Sequence, residues 1–294
     1  MTSSSLLARL TRFAAKPWRS QFRSLAFRWL RLFPFLPLPF RIHSGCWWLL
    51  RNDQISATLL EDSFENAEHQ FVEGFLQPGM TFLDIGANQG YYTLLSSQKV
   101  GPRGKVLAFE PSPREIRRLK LHLWLNRCKN VEVLASALGA TEGTTELHVV
   151  LGSESGCNSL RPPDVSQPTA LLPVPVERLD DVLKARRIAR VDFIKLDVEG
   201  AELSVLQGAR ELLRRAPRPV ILSEVQDIRT KPWGYEAREV ILSLCELGYE
   251  WFQPKPNGQI EKIPVDCKSY DGNFVAVPRE RIPSLNHVIS TFGS

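Results

Sequence analysis

Short apolar runs bounded by turn residues alternate with amphipathic stretches over most of the 294-residue chain. Thr81 to Ile85, Lys105 to Phe109, Val131 to Ala135, Val191 to Leu196 and Val220 to Val225 read as short buried strands. Between and after them, helical spacing of apolar positions covers Tyr91 to Gln98, Pro113 to Asn126, Arg178 to Arg187, Ala201 to Arg214 and Glu236 to Leu247. Strands that alternate with helices imply right-handed crossovers, hence an α/β fold with a mostly parallel sheet covered on both faces. Tyr249 to Phe252 and Asn273 to Val277 are expected to close that sheet as an antiparallel pair. Gly152 to Pro175, rich in Gly, Ser and Pro, breaks the rhythm and reads as a long irregular loop of the lid or binding kind.

The front of the chain follows another pattern. Leu6, Leu10, Phe13, Trp18, Phe22, Leu25 and Trp29 recur at helical steps with Arg or Lys between them, a basic amphipathic helical arm that Pro17 is expected to split in two. The stretch is too interrupted to span a bilayer, and the apolar run Phe33 to Phe40 holds three prolines. No clean apolar region follows the charges, so a cleaved signal peptide fits poorly. Charge sharpens this division. Nine basic residues and no acid occur through Arg51, whereas the rest carries 28 basic against 32 acidic side chains. The sequence pI near 9.0 therefore describes a basic arm (1–60) on a mildly acidic body (61–280) with a short tail (281–294), a balance that argues against nucleic acid as a partner. Three readings of the arm remain open: peripheral contact of residues 6–32 with anionic membrane, a mitochondrial presequence if the source is eukaryotic, and packing on the protein's own body or a second subunit. Five cysteines without CxxC spacing point to a reduced, cytoplasmic setting, peripheral to the inner membrane face if the arm docks there, and offer no metal motif.

In a parallel sheet ligands bind beyond the carboxyl ends of the strands, so the strand ends carry the chemistry. After the first strand comes Asp84-Ile85-Gly86-Ala87-Asn88-Gln89-Gly90. Gly86 permits a tight turn, Asn88 tolerates a left-handed backbone, and Gly90 lets the chain approach a ligand as the next helix begins. The spacing is a nucleoside-binding turn without the glycines of the dinucleotide motif or the Lys of a P-loop. The next strand ends in Glu110-Pro111, where a carboxylate can accept both hydroxyls of a ribose. The fourth strand places Lys195, Asp197 and Glu199 on one side at its carboxyl end, a cofactor and acceptor site or a satisfied salt-bridge network, and Glu224 ends the fifth strand facing the same crevice. None of His43, His69, His122, His148 and His287 sits in a motif; His43 and His69 are placed to reach the crevice, and His122 reads as a surface or packing residue of the second helix.

At these residues the chain resembles the FkbM family of S-adenosylmethionine-dependent methyltransferases. The likeness runs from about Phe64 to Val277, through Asp-x-Gly-Ala-Asn-x-Gly-Tyr-Tyr (84–92), Ala-Phe-Glu-Pro (108–111), Ala-Leu-Gly (137–139), Ile-Lys-Leu-Asp-Val-Glu-Gly-Ala-Glu (194–202) and Ile-Leu-Ser-Glu-Val (221–225). It implies a class I, Rossmann-like methyltransferase sheet in which the first turn (Asp84, Gly86, Asn88, Gly90) holds the methionine part of S-adenosylmethionine. Glu110 with Pro111 would meet the ribose, and Ser136 and Ala137 would border the adenine. It also implies O-methylation of a hydroxyl on a sugar, glycolipid or polyketide-like small molecule. A hydroxyl is a poor nucleophile, so a carboxylate should orient it or take its proton: Asp197 first, Glu199 second, with Asp197 equally placed to touch the cofactor. No metal is expected. The alternative is a catalytically silent scaffold that uses the basic arm to bind a membrane or partner.

Overall fold

The computed structural model describes residues 18–290. They form two compact units that part between Phe64 and Glu65. Among the described residues no helix is long and apolar enough to cross a membrane. The expected helix break at Pro17, and everything before it, lies outside the described residues.

The first unit contains helix α1 (Trp18–Leu32), strands β1 (Leu38–Arg41) and β2 (Trp47–Leu50), and helix α2 (Gln54–Glu61). The strands pair antiparallel around a turn closed by Gly45 N–H donating to Ile42 O at 2.8 Å. The sequence pattern predicts no strand here, because Pro37 and Pro39 flank and enter β1. A two-stranded ribbon tolerates a proline because each strand keeps one unpaired edge. Asp53 caps α2 by accepting the Ser56 amide at 2.9 Å.

The second unit begins with α3 (Asn66–Phe75) and then alternates: β3 (Thr81–Ile85), α4 (Tyr91–Val100), β4 (Lys105–Phe109), α5 (Pro113–Leu125) and β5 (Val131–Leu134). After three strands set apart, β6 (Ala137–Leu138), β7 (Gly143–Val150) and β8 (Thr169–Glu177), come α6 (Leu179–Ala185), β9 (Phe193–Leu196), α7 (Glu202–Gly208), α8 (Arg210–Arg214) and β10 (Val220–Gln226). The chain ends through α9 (Asp227–Thr230), α10 (Ala237–Glu246), β11 (Tyr249–Pro254), β12 (Ile260–Lys262), β13 (Asp271–Pro278) and β14 (Ile289–Ser290).

The main sheet has the order β14-β12-β11-β13-β10-β9-β3-β4-β5. Strands β10, β9, β3, β4 and β5 are parallel, and β13 inserts antiparallel between β10 and β11. Every residue of β9, and all but the first of β3 and β4, is buried, as a sheet covered on both faces requires. Phe82 and Phe193 stack across β3 and β9 with ring centroids 5.4 Å apart, and the Trp251 indole N–H donates to Ile241 O at 3.1 Å beneath α10.

Three expectations need correction. The stretch 201–214 forms two short helices that part at Ala209. The 281–294 tail is part of the fold as far as it is described: a 3-10 segment covers Arg279–Leu285, and β14 pairs with β12 at the sheet edge. The irregular loop shrinks, because Thr169 to Pro175 belongs to β8, which pairs antiparallel with β7 over its whole length and briefly with β6. Pro173 and Pro175 disguise this strand, since a proline cannot donate to a ladder; over most of its length β8 has only β7 beside it, which leaves a free edge for them.

Candidate active site

The turn after β3 and the acid at the tip of β4 face each other. Glu110 accepts the Asn88 amide at 2.8 Å through Oε2 and the Ser112 amide at 2.7 Å through Oε1. The turn itself hangs from β4, with the amides of Gly86 and Ala87 donating to Phe109 O at 3.0 and 2.9 Å. Asn88 adopts a left-handed backbone at φ 49°. Gly86, at φ 84°, has no room for a side chain: a Cβ would overlap the Asp197 carbonyl. Two strand ends thus approach backbone to backbone, fixed by the Asp197 amide donating to Ile85 O at 3.0 Å.

Between them lies a hollow that opens to solvent. Its wall includes Gly86, Asn88, Glu110, Pro111, Ser136, Ala137, Asp197 and Glu199, so eight of the ten residues expected to bind the cofactor or act in catalysis meet at one place. Asp84 and Gly90 do not line it. Asp84 is buried and turned toward α4, where the Thr93 hydroxyl donates to its carboxylate; burial raises its pKa to about 6. Gly90 starts α4, its amide donating to Ala87 O at 2.8 Å. Both shape the turn from behind.

The loop after β7 covers the hollow. Gly156, Asn158, Ser159 and Leu160 contribute to its wall. Asn88 Nδ2 donates to Ser155 O at 3.3 Å, and the Ser159 hydroxyl donates to Glu199 O at 2.9 Å. The expected binding loop therefore bridges the first turn and the fourth strand. Asn88 Oδ1 and Asn158 Nδ2 are buried without a protein partner, which suits a polar ligand in the hollow.

At the other side a charged cluster gathers. Lys195 is buried, and its Nζ donates to Asp197 Oδ2 at 3.2 Å and Asn273 Oδ1 at 3.3 Å. Burial alone would lower its pKa, but Asp197, Glu65 and Glu224 outweigh that and hold it above the ordinary lysine range. Glu199 pairs with Arg229 Nε at 2.9 Å, yet burial and then the neighbouring Asp197 raise its pKa to about 8. Glu224 is pushed well up by burial, then by Asp197 and Glu199. Burial also raises Glu202 to about 7, although it accepts the amides of Val198 at 3.1 Å and Gly200 at 3.3 Å. Asp197, Glu199 and Glu224 each bring one oxygen within 4.8 Å of the others, a spacing that a cation can bridge; here Lys195 and Arg229 already stand against two of them.

Sequence reasoning missed several partners. The Tyr92 hydroxyl donates to Glu65 Oε2 at 2.6 Å, and Lys195 Nζ lies 5.4 Å from the centre of the Tyr92 ring. Asn273 stands opposite Glu224 in the β10–β13 register. Only the doubled tyrosine after Gly90 offered a signal; the others depend on pairings distant in sequence. His122 is buried, and its Nδ1 lies 2.8 Å from the Gln89 carbonyl, so it packs behind the turn. His69 is buried against the Tyr91 hydroxyl at 2.9 Å. His43 lies in the first unit beside Asp62.

A parallel sheet closed by an antiparallel penultimate strand, with a glycine turn and a strand-tip acid flanking one hollow, defines the class I methyltransferases, whose cofactor is S-adenosylmethionine. The profile of the FkbM methyltransferase domain matches residues 84–251, and the chain belongs to that family. It is 31% identical over 142 residues to Methyltransferase 1 of Beauveria bassiana, covering 43% of this chain and 57% of that one. It is 29% identical over 159 residues to the 2-O-methyltransferase NoeI of Sinorhizobium fredii, covering 50% and 64%. The chain thus spans about three fifths of the length of these relatives. Among solved structures, a methyltransferase FkbM from Methylobacillus flagellatus aligns at a TM-score of 0.42 and 16% identity, covering 78% of this chain and 56% of that one.

Proposed function

We propose that the protein transfers a methyl group from S-adenosylmethionine to a hydroxyl oxygen of a sugar, glycolipid or polyketide-like small molecule. The observation that carries this reading is the Asn88–Glu110 hydrogen bond in the wall of a hollow that Asp197 and Glu199 also line. One end suits an adenosyl group and the other an acceptor. Relatives named as O-methyltransferases, NoeI and the 31-O-demethyl-FK506 methyltransferase FkbM of Streptomyces tacrolimicus, support the choice of oxygen.

In this reading Glu110 accepts the ribose hydroxyls, with Pro111 beside it, while Ser136 and Ala137 border the adenine and the Gly86–Asn88 turn meets the methionine part. Ser136 is held in place by donating to Glu177 at 2.5 Å. When bound, the cofactor supplies an already activated methyl, so the protein has to orient the acceptor and handle its proton. In this reading Asp197 does both, which is supported by its place in the wall of the hollow and by a side chain 29% exposed, against 2% for Lys195. It orients the hydroxyl and receives its proton. Glu199, whose pKa burial and then Asp197 raise, is the second group beside the acceptor. The 151–168 loop excludes water.

Isothermal titration of the purified protein with S-adenosylmethionine, beside Glu110→Gln, tests the cofactor end; binding by the wild type weakened in the variant is expected. Methyl transfer from labelled cofactor to glycan and lipid extracts, beside Asp197→Asn, tests the other. Absence of cofactor binding by the wild type would overturn the reading.

A further inference from the structure

The first unit displays a compact apolar surface that no chemistry in the hollow requires. Leu25, Trp29 and Leu32 fall at steps of four and three along α1 and form one stripe, whereas Ala26 and Leu30 are buried. The stripe runs directly into a tip, Phe33-Pro34-Phe35-Leu36. Leu25, Leu32 and Leu36 are more than half exposed, and Phe35 is 92% exposed. Contiguous exposed apolar surface of this kind marks an interaction site.

The tip is pre-formed. The Phe33 amide donates to Trp29 O at 2.8 Å and the Leu36 amide to Phe33 O at 3.0 Å. The Trp29 indole N–H donates to Leu36 O at 3.2 Å, so the last carbonyl of the tip has a partner before anything covers it. That matters for entry into hydrocarbon, where an unsatisfied peptide group is heavily penalised. Arg28 and Arg31 lie exposed beside the stripe, and the chain has no acid before Asp53. A second copy seated on this face would set arginines against arginines. A bilayer with anionic headgroups offers the opposite charge at the depth of the arginines, an interface for the indole and apolar chains for Phe35.

We propose that this face, Leu25 to Leu36, is a monotopic docking surface for anionic lipid membranes, with the Phe33–Leu36 tip as its inserted wedge. It shifts the contact expected for residues 6–32 toward the end of α1 and the turn beyond it. The proposal is independent of what the hollow binds.

Flotation of the full chain with phosphatidylcholine vesicles, with and without phosphatidylglycerol, tests it. Expected is binding to the anionic vesicles that weakens as salt rises, and a fall of about tenfold or more both in Phe33→Ser/Phe35→Ser/Leu36→Ser and in Arg28→Glu/Arg31→Glu. Circular dichroism checks that the variants fold; should the triple variant not fold, the single exposed change Phe35→Ser replaces it, with a smaller fall in the same direction. The proposal is overturned if the wild type fails to float with anionic vesicles, or if neither variant changes its binding. It is also overturned if light scattering shows a dimer that the triple variant converts to monomer, for then a second copy covers the face.

Discussion

Asn88 donates its backbone amide to Glu110 Oε2 at 2.8 Å, so the first turn and the tip of the neighbouring strand hold one carboxylate between them. Burial raises the Glu110 pKa to about 8. Ribose hydroxyls donate best to the ionised form. Cofactor affinity is therefore expected to rise with pH up to about 8, with proton release on binding below it. Titration in buffers of different ionisation enthalpy measures that release, and Glu110→Gln should abolish it along with most of the affinity.

Ligand-free stability should run with pH in the opposite direction. Glu199 and Glu202 have pKa values raised to about 8 and about 7 from 4.5, so the folded state keeps protons that the unfolded chain has lost. The stability these protons give is full below about pH 4 and declines as pH rises to about 8. Thermal melting across that range should show Tm falling toward alkaline pH, and Glu202→Gln should flatten the slope.

Gly86→Ala places a methyl against the Asp197 carbonyl in a backbone region that disfavours alanine. A loss of more than about 1 kcal/mol is expected, together with loss of cofactor binding, because the two strand ends must separate. Urea unfolding and calorimetric titration report the two effects separately.

Asp197→Asn should lower kcat by about a hundredfold or more, the scale of a lost proton acceptor, while cofactor affinity changes only a few-fold. Lys195→Met should act chiefly on stability. Its removal leaves Asp197, Glu65 and Glu224 without their shared buried cation, at about 2–3 kcal/mol, less than for a wholly buried pair because Asp197 is partly exposed. Single-turnover kinetics and denaturant midpoints distinguish these outcomes.

The parallel strands and the glycine turn were legible because each is local: a short apolar run, then a residue type that the backbone angle demands. Lys195, Asp197 and Glu199 were legible for the same reason, three charges at period two on one strand. Glu65, Asn273 and Arg229 were not, since they reach the cluster through register and crossover rather than through neighbours in sequence. Asp84 shows the limit of motif reading: its position in the turn was right, but Thr93 draws its side chain to the far side of the wall. The β1–β2 and β7–β8 ladders hid behind prolines, which a strand accepts wherever one of its edges has no neighbour.

The cover over the hollow hangs on an outlying hairpin, β7 and β8, that does not join the main sheet. Its length and sequence can therefore change without disturbing the order of the nine central strands. On the proposed function, a changed flap would act like an exchanged jaw, altering which acceptor fits while the engine beneath stays as it is.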